Sequence, residues 1–192
     1  MKTIKTGSIA EYSDVSDASE FISDLRAAKA PIVVLFTNSF AKLSDSDIEI
    51  LKNCAALTVI AGENLSAIPN YILAKFDLRI TETPIPITNA EGIDNSACAA
   101  ICGENSAYKY SQGSDISDDF FTIVSGEGDF HEKTIQYLEL LAKDKDDFQL
   151  YSLAACFRAA RSGSTKAVFE QESMQFYRLM QHKSKEASNG IQ

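Results

Sequence analysis

The chain has 192 residues, of which 45% are hydrophobic and 23% charged, and a net charge of -9. That length can bury a core without staples, so one domain is expected, and the negative field argues against nucleic acid as a partner. No apolar run approaches the ~20 residues needed to cross a bilayer. The start "MKTIKTGSIAEYSD" has no apolar stretch behind its lysines, so no secretory signal is expected and the cytoplasm is the expected compartment.

The first expected element is a helix over residues 17–29, where Asp17 and Glu20 have capping-box spacing and Phe21, Ile22, Leu25 and Ala28 make an apolar stripe. Pro31 ends it, and "IVVLF" (32–36) has no polar alternation, as in a strand buried on both faces. In "SFAKLSDSDIEILKN", Ser46 and Glu49 again have capping-box spacing, and Ile48 with Leu51 starts a short amphipathic helix. "ALTVIA" (56–61) is a second buried strand. A tight loop then leads to a helical turn through Tyr71–Phe76 and a third strand, "DLRIT" (77–81). Strands alternating with helices over short links indicate parallel βα units, hence an α/β domain.

The stretch 82–117 is less regular, and Pro84 with Pro86 excludes it from the middle of a sheet. "SACAAIC" (96–102) predicts a small-residue helix stopped by Gly103, and "DFFTIV" (119–124) another buried strand closed by "SGEG". From about residue 130 the chain is expected to be helical. Ile135, Leu138, Leu141 and Ala142 form one stripe; Tyr151, Ala154, Ala155 and Arg158 suggest a second helix. A third carries Phe169, Phe176 and Met180 on one face, with Ser164 as its cap. The expected division is an α/β core over 1–129 and a helical region over 130–192 of the same domain.

No motif in this pattern carries chemistry unaided. Cys54, Cys98, Cys102 and Cys156 lie among small apolar residues, and although Cys98 and Cys102 share a helical face, no histidine completes a metal set. "GEG" (126–128) lacks the lysine and hydroxyl of a phosphate cradle. His131 falls at a helix start, away from any nucleophile elbow. The carboxylates, as in "DKDD" (144–147), spread over solvated faces without marking an acid–base pair.

One longer stretch is more specific. "LTVIAGENLSAIPNYILAKFDLRIT" (57–81) resembles the central signature of the crotonase (enoyl-CoA hydratase/isomerase) superfamily, in which a strand, a glycine triplet, a helix and an Asp-Ile/Leu-Arg-Ile-Ala strand follow one another. Asp77-Leu78-Arg79-Ile80-Thr81 matches the last part. "IVVLFTNSFAKLSD" (32–45) is similar to the family's Val-Val-Leu-Thr-Gly strand and Phe-Ser-Ala-Gly-Ala-Asp turn, with Phe40 and Asp45 at matching ends. "FEQESMQFYRLM" (169–180) resembles its closing helix, with Glu172 and Phe176 in familiar places.

The resemblance implies a crotonase-like (ClpP/crotonase) spiral of ββα units with a mainly parallel sheet and a C-terminal helical region. It also implies a homo-oligomer, trimer or hexamer, assembled through those helices. Its activity would be enolate stabilisation on an acyl thioester of coenzyme A or an acyl carrier, by two backbone N–H groups, one from the Phe-Ser-Ala-Gly-Ala-Asp turn and one from the glycine triplet at a helix tip. Carried over by position, those donors are Lys42 in the first turn and Ile68 in the triplet Ala67-Ile68-Pro69. The triplet keeps no glycine, and Pro69 has no N–H to give. The family's two glutamates align with Tyr71 and with the neighbourhood of Thr88, where Glu91 is the nearest carboxylate. Lys42 and Tyr71 are therefore the residues expected to carry catalysis, with no metal and no cofactor. A lyase or isomerase reaction in a polyketide or fatty-acyl pathway would follow; the alternative is a catalytically silent crotonase-fold partner or scaffold.

Overall fold

A computed structural model describes residues 2–13, 21–22, 25, 30–39, 43–89, 93–161 and 165–189. A hairpin opens the chain: β1 (Lys2–Thr6) and β2 (Ile9–Ser13) run antiparallel across a turn at Gly7, whose φ of 56° suits glycine. From β2 onward the sheet is parallel. β3 (Ile32–Phe36), β4 (Leu57–Ala61), β5 (Leu78–Thr81) and β6 (Thr122–Ile123) follow one another, so spatial order equals chain order. Successive parallel strands require a crossover each, which winds the chain as a spiral.

Alternation within each strand sends side chains to two cores. Ala10, Tyr12, Val33, Leu35 and Ile60 face the crossover segments, where Phe21, Ile22, Leu25, Leu51, Ile72 and Leu73 cover them. Ile9, Ile32, Val34, Leu57, Val59, Ala61, Leu78 and Ile80 face the other way, against Phe130, Leu138, Leu150 and Ala154 of the C-terminal helices. Burial on both faces is why these strands read as unbroken apolar runs. Of the helix expected over 17–29, Phe21, Ile22 and Leu25 are helical and buried; Asp17 and Glu20 lie outside the described residues.

The crossovers are α1 (Asp45–Asn53) and α2 (Asn70–Leu73), and beyond β5 come α3 (Asn95–Cys102), α4 (Glu104–Ser111) and α5 (Ser117–Phe120). α6 (Phe130–Ala142), α7 (Asp147–Arg161) and α8 (Thr165–Asn189) close the chain. Two details differ from the sequence expectations. The capping box of α1 is Ser44 with Asp47, not Ser46 with Glu49: the Ser44 hydroxyl accepts from the Asp47 N–H, and Asp47 accepts from the Ser44 N–H at 3.0 Å. The expected strand at 119–124 shrinks to two residues at the sheet edge. Asp115 accepts the Ser117 N–H at 2.9 Å and starts a helical turn that consumes Asp118 to Phe120. The face of α8 that carries Phe169 and Phe176 points to solvent, the two being 65% and 67% exposed.

Candidate functional site

The elbow at 62–70 joins β4 to α2 at the carboxyl end of the parallel strands, where open α/β sheets usually place their sites. Gly62 makes its start possible. A Cβ there would run into the Thr37 carbonyl and stand 2.8 Å from Asn38 Oδ1, so the chain leaving β4 must lie bare against the chain leaving β3. The Asn64 N–H then donates to Asn38 Oδ1 at 3.3 Å, and the Thr37 N–H to the Ala61 carbonyl at 2.9 Å. Residues 37 and 38, which lead out of β3, are thus neighbours of the second turn. Phe40 and Lys42 of the first turn lie outside the described residues, as does Glu91.

In the second turn the expected donor is engaged elsewhere. The Ile68 N–H donates to the Leu65 carbonyl at 3.0 Å, and the Ile68 side chain is only 1% exposed, packed in the core with Leu65 and Ile72. The Ile68 hydrogen closes a turn, and its branched side chain is buried where the family's pattern has a glycine. Pro69 stands at the N-cap of α2 without a side-chain cap, and its carbonyl accepts from the Ile72 and Leu73 N–H groups at 2.9 and 3.1 Å. Tyr71 is on the first turn of α2 and 42% exposed, free of the apolar core. Thr88 is half-buried in the segment after β5.

The Asp77 strand, the most specific part of the signature, serves the fold. The Thr58 N–H and hydroxyl donate to Asp77 Oδ2 at 2.8 and 2.9 Å, which locks the start of β5 to β4. Arg79 donates from Nε to the Phe120 carbonyl and from Nη1 to the Phe76 carbonyl, both at 2.8 Å, with its guanidinium over the Phe120 ring. One planar fork thus ties the end of α5 to the turn after α2. Both side chains are buried, with Asp77 held against Thr58 near the start of β4 and Arg79 in register with Ile60.

Two side-chain pairs remain. His131 Nε2 lies 2.8 Å from Glu11 Oε2 of β2, with the Phe36 ring 4.5 Å away, so this histidine anchors α6 to the sheet. The two residues lie 120 apart in the chain, and no sequence pattern pairs them. Cys98 and Cys102 share a hydrogen bond on α3; burial above all pushes the Cys102 thiol up to about 12, against the opposing charge of Arg79. Among the described residues no group of three His, Cys, Asp or Glu could hold a metal, and no helix is long and apolar enough to cross a membrane.

No family model and no curated protein matches the sequence. Solved structures do match the fold. One is the crystal structure of an enoyl-CoA hydratase/isomerase family member, with a TM-score of 0.56 over 94% of this chain and 89% of that one, at 12% identity. Another is ThnE from S. clavuligerus, with a TM-score of 0.51 over 90% of this chain and 100% of that one, at 13% identity. The spiral, its parallel sheet and its helical C-terminus are those of the crotonase fold.

Proposed function

We propose that the chain is a divergent member of the enoyl-CoA hydratase/isomerase superfamily in which the thioester site has closed, and that it works as a crotonase-fold partner or scaffold. The hydrogen bond from the Ile68 N–H to the Leu65 carbonyl carries this reading. Enolate stabilisation needs donors already aimed at the developing charge, and losing one costs about 2.7–4 kcal/mol of transition-state stabilisation in enzymes that depend on it. Here that donor is spent, its neighbour is a proline, and neither family glutamate has a matching carboxylate in Tyr71 or Thr88. The exposed Phe169 and Phe176 of α8 support homo-oligomerisation, as a trimer or a pair of trimers, through the C-terminal helices.

A second reading keeps chemistry at the elbow. The exposed phenol of Tyr71 at the tip of α2 favours it, since a tyrosine there can pass a proton to an enolate, with Lys42 adding the charge that the resemblance implies. Dehydration, decarboxylation or isomerisation of an acyl thioester would be the reaction. Incubation with a panel of acyl-CoA and acyl-carrier thioesters, followed by mass spectrometry, separates the two. The closed-site reading expects no mass change across the panel, whereas turnover that Tyr71→Phe abolishes would establish the enzyme.

A further inference from the structure

α8 has one covered face. Gln175 is buried and Leu179 half-buried on it, and the His182 ring stacks on Phe148 of α7 at 4.6 Å, so the helix lies along α7 over most of its length. The other face carries Phe169, Phe176, Tyr177 and Met180, which are 65, 67, 63 and 55% exposed. Their arrangement is regular. Phe169, Ser173, Phe176, Met180 and Lys183 follow at alternating steps of four and three, which is the seam of a coiled coil. With about 200 Å² of surface per large side chain, the exposed parts of the two phenylalanines, Tyr177 and Met180 come to roughly 500 Å². Two such faces together would bury about 1,000 Å², the lower bound for a specific interface.

The charges select how two copies would meet. The first half of α8 has Lys166, Glu170 and Glu172, with Lys166 Nζ 3.7 Å from Glu170 Oε1, and is net negative. The second half has Arg178, Lys183 and Lys185 against Glu186 and is net positive. Parallel pairing would set like halves together. Antiparallel pairing sets each negative half against a positive one, and the positive end of each helix dipole beside the negative end of the other. Glu172 and Lys183 sharpen the match. Being eleven residues apart, they differ by about 20° around the helix and border the same edge of the stripe. Like edges meet in an antiparallel pair. With Phe176 of both copies at the centre, Lys183 of each comes level with the turn from Phe169 to Glu172 of the other.

We propose that a second copy of this chain covers the exposed face of α8, the two helices lying antiparallel about a two-fold axis at Phe176, with Glu172 of each copy paired to Lys183 of the other. This rests on the reading of α8 as the assembly surface and supplies its geometry. A two-fold contact closes on itself, so it makes dimers or joins two trimers and cannot build a lone trimer. It is independent of the elbow and of whether thioester chemistry survives there.

The test is sedimentation equilibrium of the full chain at low salt, where exposed charges are least screened. The unaltered chain is expected to sediment as two copies or six. Glu172→Lys and Lys183→Glu are each expected to weaken the two-fold step about three- to tenfold, because each sets like charges together. Combined in one chain, they are expected to restore it to within about twofold of the unaltered value, since the pair is then reversed rather than broken. Both side chains are exposed, and unchanged circular dichroism marks each variant as folded. An assembly whose constant neither reversal moves, or a mass of three copies, leaves assembly standing and overturns the pairing. Losses that the combined variant does not rescue overturn the antiparallel register. A monomeric unaltered chain, whose α8 face would then belong to a different protein, overturns the pairing and the assembly reading together.

Discussion

Ile68 donates its backbone N–H to the carbonyl of Leu65 at 3.0 Å. The proposal of a closed elbow rests on that bond. A glycine at this point could leave its N–H pointing outward and let a ligand touch bare backbone. An isoleucine whose side chain fills the core holds the turn shut by packing, and the turn in turn consumes the hydrogen.

The approach of Gly62 to residues 37 and 38 should be intolerant of any side chain. Gly62→Ala places a Cβ against the Thr37 carbonyl, which is backbone and cannot swing away. Overpacking of this kind costs about 1–3 kcal/mol. Urea denaturation should show a lower midpoint at unchanged slope.

Asp77 and Thr58 should be energetically coupled. Asp77→Ala leaves the buried Thr58 N–H without its acceptor, a loss of about 1–3 kcal/mol. Thr58→Val removes only the hydroxyl donor. In a double-mutant cycle the two changes should fall short of additivity, because both act on one carboxylate oxygen. Additive losses would show that the hydroxyl bond contributes nothing.

Alkaline pH should destabilise the protein through Cys102. Burial lifts its thiol from 9.0 to about 12, so the folded state holds this proton more tightly than the unfolded state does. The sign follows: this contribution is complete below pH 9 and is lost as pH rises toward about 12. Chemical denaturation across that window should show stability falling with pH, and Cys102→Ala should flatten the fall. At neutral pH the thiol should resist iodoacetamide until the chain unfolds.

The exposed face of α8 should carry self-association. Phe169→Ser together with Phe176→Ser removes two aromatic side chains that are 65% and 67% exposed. Light scattering should report a smaller assembly for the double variant, with helix content by circular dichroism unchanged. An unaltered mass would remove the helices from the interface.

Much of the fold was legible because β3, β4 and β5 are buried on both faces, which leaves unbroken apolar runs bounded by Pro31, Gly62 and Asp77. What escaped depends on tertiary contacts. The edge strand at Thr122 looked longer because Phe120 and Phe121 are apolar, yet the Arg79 fork and the Asp115 cap fix the preceding residues as a helical turn. The stripe of α8 was visible in spacing, but spacing cannot say whether a stripe meets a core or solvent. At the elbow, position identified the two turns and the missing glycines. That Ile68 would spend its own hydrogen on Leu65 depends on a backbone conformation that no residue type encodes alone.

The most direct measurement is the backbone amide resonance of Ile68 during titration with acyl-CoA thioesters, with turnover followed in the same samples. A closed elbow predicts an unmoved resonance at every concentration and no product. A saturable shift of that resonance, with product formation that disappears in Tyr71→Phe, would contradict it.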